Sequence, residues 1–407
     1  MLKKIVIQNY RTCLKTSFNC HPNLSVLIGP NSSGKTNILQ AVMLLHKLAE
    51  QQGNGPVDDS VTVSSRINAV FSSFGNKIRL SASLAVHTDE ANTDNVMSSR
   101  QTWRIEGEKE QAATFKGPIW ALARVQEESV ATAHFPNYFK MYFGVEAPPD
   151  WTVRGLAKTF EFCQGMKYYG ASQFTNPGAS PPSFEIEIDK DGGRRRAFRL
   201  RGHVRVLYNM YSLFKANQGG KYDQFKSVVG PKGLKLIDDV DFKEVPISST
   251  DYSVLVGGRV RSHRRSKLLV VPQFRIGRQV LSPNQLSEGT FKTLALLFYI
   301  ITFSGTALLI EEPEVCIHHG LLSSILELIK RYSRQKQMII STHSDYVLDH
   351  VRPENVFRVS REELLGTTVH PIRKTMNARE YAALREYLDK EGNLGEYWRE
   401  GGLEDRP

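Results

Sequence analysis

The sequence predicts an α/β protein with a largely parallel sheet, and three stretches carry that expectation. Leu24 to Leu48 reads as strand, glycine loop and helix. Leu286 to Val351 alternates helices with short apolar strands. The region between them holds alternating strand patterns and a few helices. Strands that alternate with helices along a chain pair in parallel, with the helices as crossovers.

In the first stretch, Leu24-Ser-Val-Leu-Ile28 is apolar enough for a buried strand. Gly29-Pro-Asn31-Ser32-Ser33-Gly34-Lys35-Thr36 follows directly. This is a full match to the phosphate loop G-x-x-x-x-G-K-[ST], in the strand-to-helix context that motif needs. Gly29 and Gly34 let backbone N–H groups of Asn31, Ser32, Ser33 and Gly34 turn toward a phosphate. The helix N-terminus adds partial positive charge there. Lys35 reaches the terminal phosphates and the Thr36 hydroxyl ligates a magnesium ion. Ile38, Leu39, Val42, Leu45 and Leu48 then recur at the spacing of one helix face. The expectation is a nucleotide site.

The chain has 407 residues, room for two or three domains, and an ordinary hydrophobic fraction of 41%. Lys and Arg total 53 against 42 Asp and Glu, a net charge of +11 that favours acidic partners such as nucleic acid. Two arginine clusters concentrate it. One holds Arg194, Arg195 and Arg196 with Arg199, Arg201 and Arg205. The other holds Arg259, Arg261, Arg264, Arg265 and Lys267, of which 259, 261, 265 and 267 are spaced to line one face of a strand. Such residues bind phosphates without reading sequence; a solvated surface or an acidic protein partner is the other explanation.

Four scattered cysteines exclude a disulfide framework, and Cys13, Cys20 and His21 lack a second pair to complete a metal shell. Leu294 to Ile310 is apolar but is divided by Ser304-Gly-Thr306, so a helix and a buried strand explain it better than a membrane span. The expected setting is cytoplasmic, without a membrane.

Opening strands are expected over Lys3–Gln8 and around Thr16–Asn19. Strands are also expected at Ile78–Val86 and Thr102–Glu106, with helices at Val204–Ala216 and Gln224–Val229. Further on, the pattern predicts a helix capped by Ser287, a strand at Ala307–Ile310, a helix at Leu321–Ile329 and a strand at Gln337–Ile340. Helices at Asp345–Val351 and Ala378–Leu388 complete the reading.

Leu308-Leu-Ile310-Glu311-Glu312 is an apolar strand ending in two carboxylates, the Walker B form. Glu311 is expected to bind magnesium and Glu312 to polarise the attacking water. Ile339 to Ser344 is a strand ending at His343, whose imidazole could hydrogen-bond the γ-phosphate.

Taken in order, Gly29–Thr36, Leu286-Ser287-Glu288-Gly289-Thr290, Leu308–Glu312 and Ser341-Thr342-His343 resemble the motif set of ABC-type ATPases in the SMC, RecF and OLD branch. The signature and Glu311-Glu312-Pro313-Glu314 resemble the OLD-like group, and Asn9-Tyr10-Arg11 also fits. The resemblance implies an ABC ATPase head with a large α+β insertion. Its N-terminal lobe would span 1–50, the insertion 51–280, the C-terminal lobe 281–375, and a helix and tail 376–407. It implies ATP and Mg²⁺ as ligands, and a homodimer or higher homo-oligomer in which Ser287 and Gly289 of one head close the phosphate loop of the other. His343 matches the switch histidine, and a Q-loop glutamine is expected somewhere in the middle region, with Gln173 one candidate. Glu311 replaces the commoner aspartate and Val315–His319 lacks a D-loop aspartate, which implies slow turnover. About fifty residues follow Pro353, too few for the Toprim nuclease domain of OLD proteins, so a separately encoded effector, a nuclease or toxin, is implied. The expected role is an ATPase regulating that effector in anti-phage defence. A DNA-repair ATPase binding nucleic acid and an ATP-stabilised scaffold are the alternatives.

Overall fold

The computed structural model describes residues 1–49, 61–73, 75–88, 95–106, 113–117, 119, 150–188, 194–195, 202–216, 220–254, 258–390 and 392–401. Two compact units emerge. The first holds Met1–Tyr168, Ser304–Glu314 and Leu326–Pro407, and the second Tyr169–Phe303 and Val315–Ile325.

The first unit is built on a large sheet. Its strands are β1 (Leu2–Tyr10), β2 (Cys13–Asn19), β3 (Leu24–Ile28), β4 (Val61–Ser73), β5 (Asn76–Thr88), β6 (Asn95–Glu106) and β7 (Ala113–Lys116). They are joined by β8 (Met166–Gly170), within which the chain passes to the second unit. Then come β14 (Ala307–Glu311), β15 (Gln337–Thr342), β16 (Val356–Glu362) and β17 (Gly366–Pro371). The order is β7-β6-β5-β4-β1-β2-β17-β16-β3-β15-β14-β8.

The expectation of a mostly parallel sheet holds where β16, β3, β15 and β14 pair in parallel. The wider sheet is mixed. From β1 through β7, and from β16 through β17 to β2, every pairing is antiparallel. The reason lies in the connections: short turns can only reverse a chain, whereas parallel pairs need crossovers. Strand β4 pairs with β1, so the strands expected to open the insertion at residue 51 instead extend the sheet of the N-terminal lobe.

Every residue of β3 and β15 is buried, as suits strands covered on both faces. Helix α1 (Lys35–Ala49) buries Ile38, Leu39, Val42, Leu45 and Leu48 against them. On the meander, Ile67, Ala69, Phe71, Ile78, Leu80 and Trp103 alternate inward and share a core with Phe162 of α2 (Asp150–Gln164). Phe71 stacks on Trp103 and meets Phe162 edge-on.

In the second unit, β9 (Phe184–Ile188), β10 (Arg194–Arg195), β11 (Asp239–Val254), β12 (Val260–Ile276) and β13 (Gln279–Leu281) form an antiparallel sheet. It is accompanied by α3 (Gly202–Ala216), α4 (Lys221–Val229) and α5 (Glu288–Thr302). Every residue of α5 from Phe291 to Thr302 is buried, the pattern of a helix surrounded by protein. Its Phe298 meets Phe225 of α4 edge-on at 5.4 Å.

The apolar run from Leu294 to Ile310 thus resolves into α5 and β14. No helix among the described residues is long and apolar enough to cross a membrane. Helix α6 (His319–Tyr332) follows. Helix α7 covers only Asp345–Leu348, shorter than expected because Asp349 N–H and Val351 N–H close onto Asp345 and Leu348 carbonyls in a tightened last turn. Helices α8 (Ile372–Thr375), α9 (Ala378–Lys390) and α10 (Leu394–Arg399) end the described chain. All four cysteines are free; Cys13, Cys20 and Cys163 are buried as ordinary packing, and burial pushes the Cys163 thiol up to about 12.

Candidate nucleotide site

The P-loop leaves the C-terminal end of the central strand β3, where ligands sit in open α/β sheets. Asn31 and Ser32 are exposed, and Ser32 adopts a left-handed φ of 65°. Ser33 is buried, and its Oγ has no hydrogen-bond partner among the described residues. The Lys35 ammonium donates to Gly29 O at 2.8 Å and Pro30 O at 3.0 Å, so it already sits at the mouth of the loop. Burial lowers its pKa, and Glu312, Glu314 and Glu311 oppose that shift.

Distant strands brace the loop from behind. Thr367 of β17 donates to Ser33 O at 3.1 Å and shares a 2.7 Å bond with Thr12, which accepts from Asn37 Nδ2 at 2.7 Å. Gly34 has φ +105°, and a Cβ there would collide with Thr367 Oγ1 and lie 2.9 Å from Thr12 Oγ1. The glycine is required twice, by conformation and by space.

Strand β14 delivers the Walker B pair. Thr36 Oγ1 donates to Glu311 Oε1, and Tyr168 OH donates to Glu311 Oε2. Thr36 and Glu311 therefore offer two hard oxygens at one point, the donor set magnesium takes from protein when phosphates and water supply the rest. Among the described residues no group of three or more His, Cys, Asp or Glu side chains could hold a metal ion.

Beyond the strand, Glu312 takes a left-handed φ of 48°, fixed by its N–H bonding Ser341 O at 2.9 Å. A non-glycine residue held there is locally strained, a feature that clusters at functional sites. Its carboxylate lies 3.3 Å from His343 Nδ1, and Glu314 lies 3.6 Å from the same nitrogen. Glu314 Oε1 accepts from Thr342 Oγ1 at 2.7 Å and from His343 N–H at 3.2 Å, while Oε2 is buried without a partner.

Burial raises the Glu314 pKa, with these hydrogen bonds opposing. A carboxyl raised in the fold favours the protonated form, so its contribution to stability is present below the ordinary carboxylate pKa and lost as pH rises through the folded value. Glu314→Gln is expected to melt above wild type at pH 8, with the difference shrinking to nothing near pH 4. Parallel melting curves across that range check it; an unchanged difference would show that Glu314 does not titrate.

In the second unit, Ser287 caps α5, its Oγ accepting from Thr290 N–H at 3.1 Å and meeting Thr290 Oγ1 at 2.7 Å. A Cβ on Gly289 would lie 2.6 Å from Cys316 O, so only glycine fits beneath that backbone. The nearly inaccessible Lys292 pairs with Glu288 at 2.6 Å and holds that carboxyl below the usual range. Cys316 Sγ lies 3.7 Å from both.

Three neighbours of these motifs were not singled out from the sequence: Tyr168, Glu314 in its contact with His343, and Lys292. Only the Glu311-Glu312-Pro313-Glu314 run hinted at the second. Gln173 is exposed in a 3₁₀ turn, Ala171–Phe174, of the second unit.

Of the arginines, Arg196, Arg199 and Arg201 lie outside the described residues. Arg194 and Arg195 form β10, and Arg205 is exposed on α3. Arg259 is exposed just before β12, so it does not belong to the strand stripe expected of it. In the backbone register of β12 with β11, Arg261, Arg264, Arg265 and Lys267 pair with Ser253, Thr250, Ser249 and Ile247.

Comparison with known proteins agrees with this geometry. Residues 1–140 match the family model "AAA ATPase domain", and residues 229–349 match "AAA domain, putative AbiEii toxin, Type IV TA system". The chain carries AAA-family ATPase domains. That assignment implies nucleotide binding. The DNA replication and repair protein RecF of Staphylococcus haemolyticus is 41% identical over 44 residues, 11% of this chain and 12% of that protein. RecF of Staphylococcus epidermidis is 39% identical over 44 residues, with the same coverage. The chain thus matches about an eighth of the length of these curated relatives. Among solved structures, an SMC head bound to the C-terminal winged-helix domain of ScpA aligns at TM-score 0.45 and 12% identity, over 92% of this chain and 99% of that one. An SMC head with an extended coiled coil, bound to the C-terminal domain of ScpA and derived from Pyrococcus furiosus, aligns at 0.43 and 10%, over 96% and 99%.

Proposed function

We propose that this chain is an ATP-hydrolysing switch. Two copies dimerise through their nucleotide sites, Ser287 and Gly289 of one closing over the P-loop of the other. The ATP state then regulates a separately encoded effector, a nuclease or toxin, in anti-phage defence. The observation that carries the reading is the convergence on one loop of Lys35, the Thr36–Glu311 pair and the Glu312–His343 pair. The family description naming a toxin system supports the toxin-linked setting.

The residues divide the work. Lys35 exchanges its loop carbonyls for the terminal phosphates of ATP. Thr36 and Glu311 would hold Mg²⁺, which when bound neutralises charge on the β- and γ-phosphates. Glu312 accepts a hydrogen bond from the attacking water and turns its lone pair to the γ-phosphorus. His343 stabilises charge on the transferring group, and its link to Glu312 couples phosphate occupancy to that carboxylate. The capped N-terminus of α5 brings N–H groups suited to a second copy's γ-phosphate.

The test is solution mass with and without Mg·ATP. Wild type is expected to double in mass with ATP, and Lys35→Ala to remain monomeric. A wild-type mass indifferent to ATP would refute the dimer switch. Adding duplex DNA to the same measurement separates the alternatives: salt-sensitive DNA capture by the ATP-loaded form would favour repair. An ATP-dependent assembly that persists in Glu312→Gln without loss of function would favour the scaffold.

A further inference from the structure

A cavity of about 720 Å³ lies within the first unit, at the end of β3 opposite the P-loop. Asn23 and Leu24, where β3 begins, form part of its wall, as do residues 350–355 leading into β16. Five strand residues at about 3.3 Å each put roughly 16 Å between this end and Gly29, so it is not part of the nucleotide site.

Its charge is one-sided. Lys330, Arg334, Arg352 and Arg385 supply four fixed cations against two carboxylates, Glu354 and Asp389. Lys330 is paired with Glu327 on its own helix. Arg334, Arg352 and Arg385 are exposed, and no hydrogen bond or ion pair joins their guanidiniums to a described residue. They come from three separate elements: the turn after α6, the segment before β16, and α9. Three such guanidiniums on one concavity leave five donors each without an acceptor among the described residues. The volume suits a small molecule, and among the described residues the aromatic rings on the wall are the imidazoles of His21 and His350, with no tyrosine, phenylalanine or tryptophan.

We propose that this cavity binds a small polyanion carrying at least two phosphate groups, recognised through its phosphates and not through a base. Planar guanidinium forks suit phosphate oxygens, which they engage bidentately. The apolar wall at Leu24, Val351 and Leu388 holds the connecting atoms. The site is independent of the switch reading above, since none of its residues touches the P-loop motifs.

Calorimetric titration of inorganic tripolyphosphate tests it, using the Lys35→Ala full-length chain so that the P-loop contributes little. One site is expected, with affinity reduced at least tenfold by Arg334→Ala with Arg352→Ala, and separately reduced by Arg385→Ala. Melting temperatures of these surface variants should stay near that of the parent. ATP should compete with tripolyphosphate no better than its own triphosphate allows. Absence of binding, or binding untouched by the arginine changes, would overturn the proposal. Preferential binding of a hexaglutamate peptide at the same arginines would overturn it too, and would assign the cavity to an acidic protein segment.

Discussion

Glu312→Gln should lower ATP turnover by about 10²–10⁴-fold while leaving ATP affinity within a few-fold of wild type. Glutamine keeps the volume and the hydrogen-bond reach to His343 but cannot accept a proton from water. The backbone needs no change, since the left-handed φ of 48° is held by the bond from Glu312 N–H to Ser341 O. Binding therefore survives and chemistry does not, so the ATP-dependent dimer should accumulate and persist for many wild-type turnover times. Steady-state phosphate release together with nucleotide affinity provides the measurement. Turnover within threefold of wild type would remove Glu312 from the catalytic role and turn attention to His343 or Glu314. Equal losses of turnover and affinity would instead point to a collapsed loop.

The second large effect belongs to Gly34→Ala, which should weaken ATP binding by at least 100-fold, about 2.8 kcal/mol. At φ +105° an alanine is strained whatever space surrounds it, and here its methyl group collides with Thr367 Oγ1. Relief requires pushing β17 away from Ser33 or flattening the loop. Either movement disperses the N–H groups that face phosphate. The consequence can be read without any assay of hydrolysis. Wild type should gain melting temperature as Mg·ATP is added, since a ligand held by the folded state stabilises it by mass action. Gly34→Ala should show little gain at the same concentration, while its far-ultraviolet dichroism stays that of a folded α/β protein. A shift equal to wild type would mean that the loop tolerates the methyl group and that the bracing by Thr12 and Thr367 is not rigid. Pairing Gly34→Ala with Thr367→Ala, which removes the colliding Oγ1, separates the steric part from the conformational part.

Both predictions rest on a site whose parts were unequally legible. The phosphate loop, the Walker B acids, the Ser287 cap and the position of His343 could be read directly. Each is a local motif, in which a turn, a cap or a strand end is set by residues within a few positions of one another. The β3 and α1 patterns were equally plain, because burial on both faces and burial on one helix face leave different periods in the chain. Short antiparallel connections within 1–116 were visible as strand patterns, yet their membership of the same sheet as β3 was not. Pairing of β4 with β1 depends on backbone register, and periodicity alone does not select a strand's neighbour.

By itself, then, the sequence determined the local elements: a strand, glycine loop and helix carrying G-x-x-x-x-G-K-[ST], two acids at the end of an apolar strand, and the serine that caps α5. Tertiary structure decided what surrounds them. Tyr168 reaches Glu311 across 143 positions and Thr367 supports Ser33 across 334, distances at which no local pattern survives. It likewise brought Arg334, Arg352 and Arg385 to one cavity from three elements that share no motif. The physical reason is the same throughout. Local conformation is governed by neighbouring side chains and backbone sterics, whereas a contact between distant segments exists only after the sheet has aligned and the core beneath it has packed.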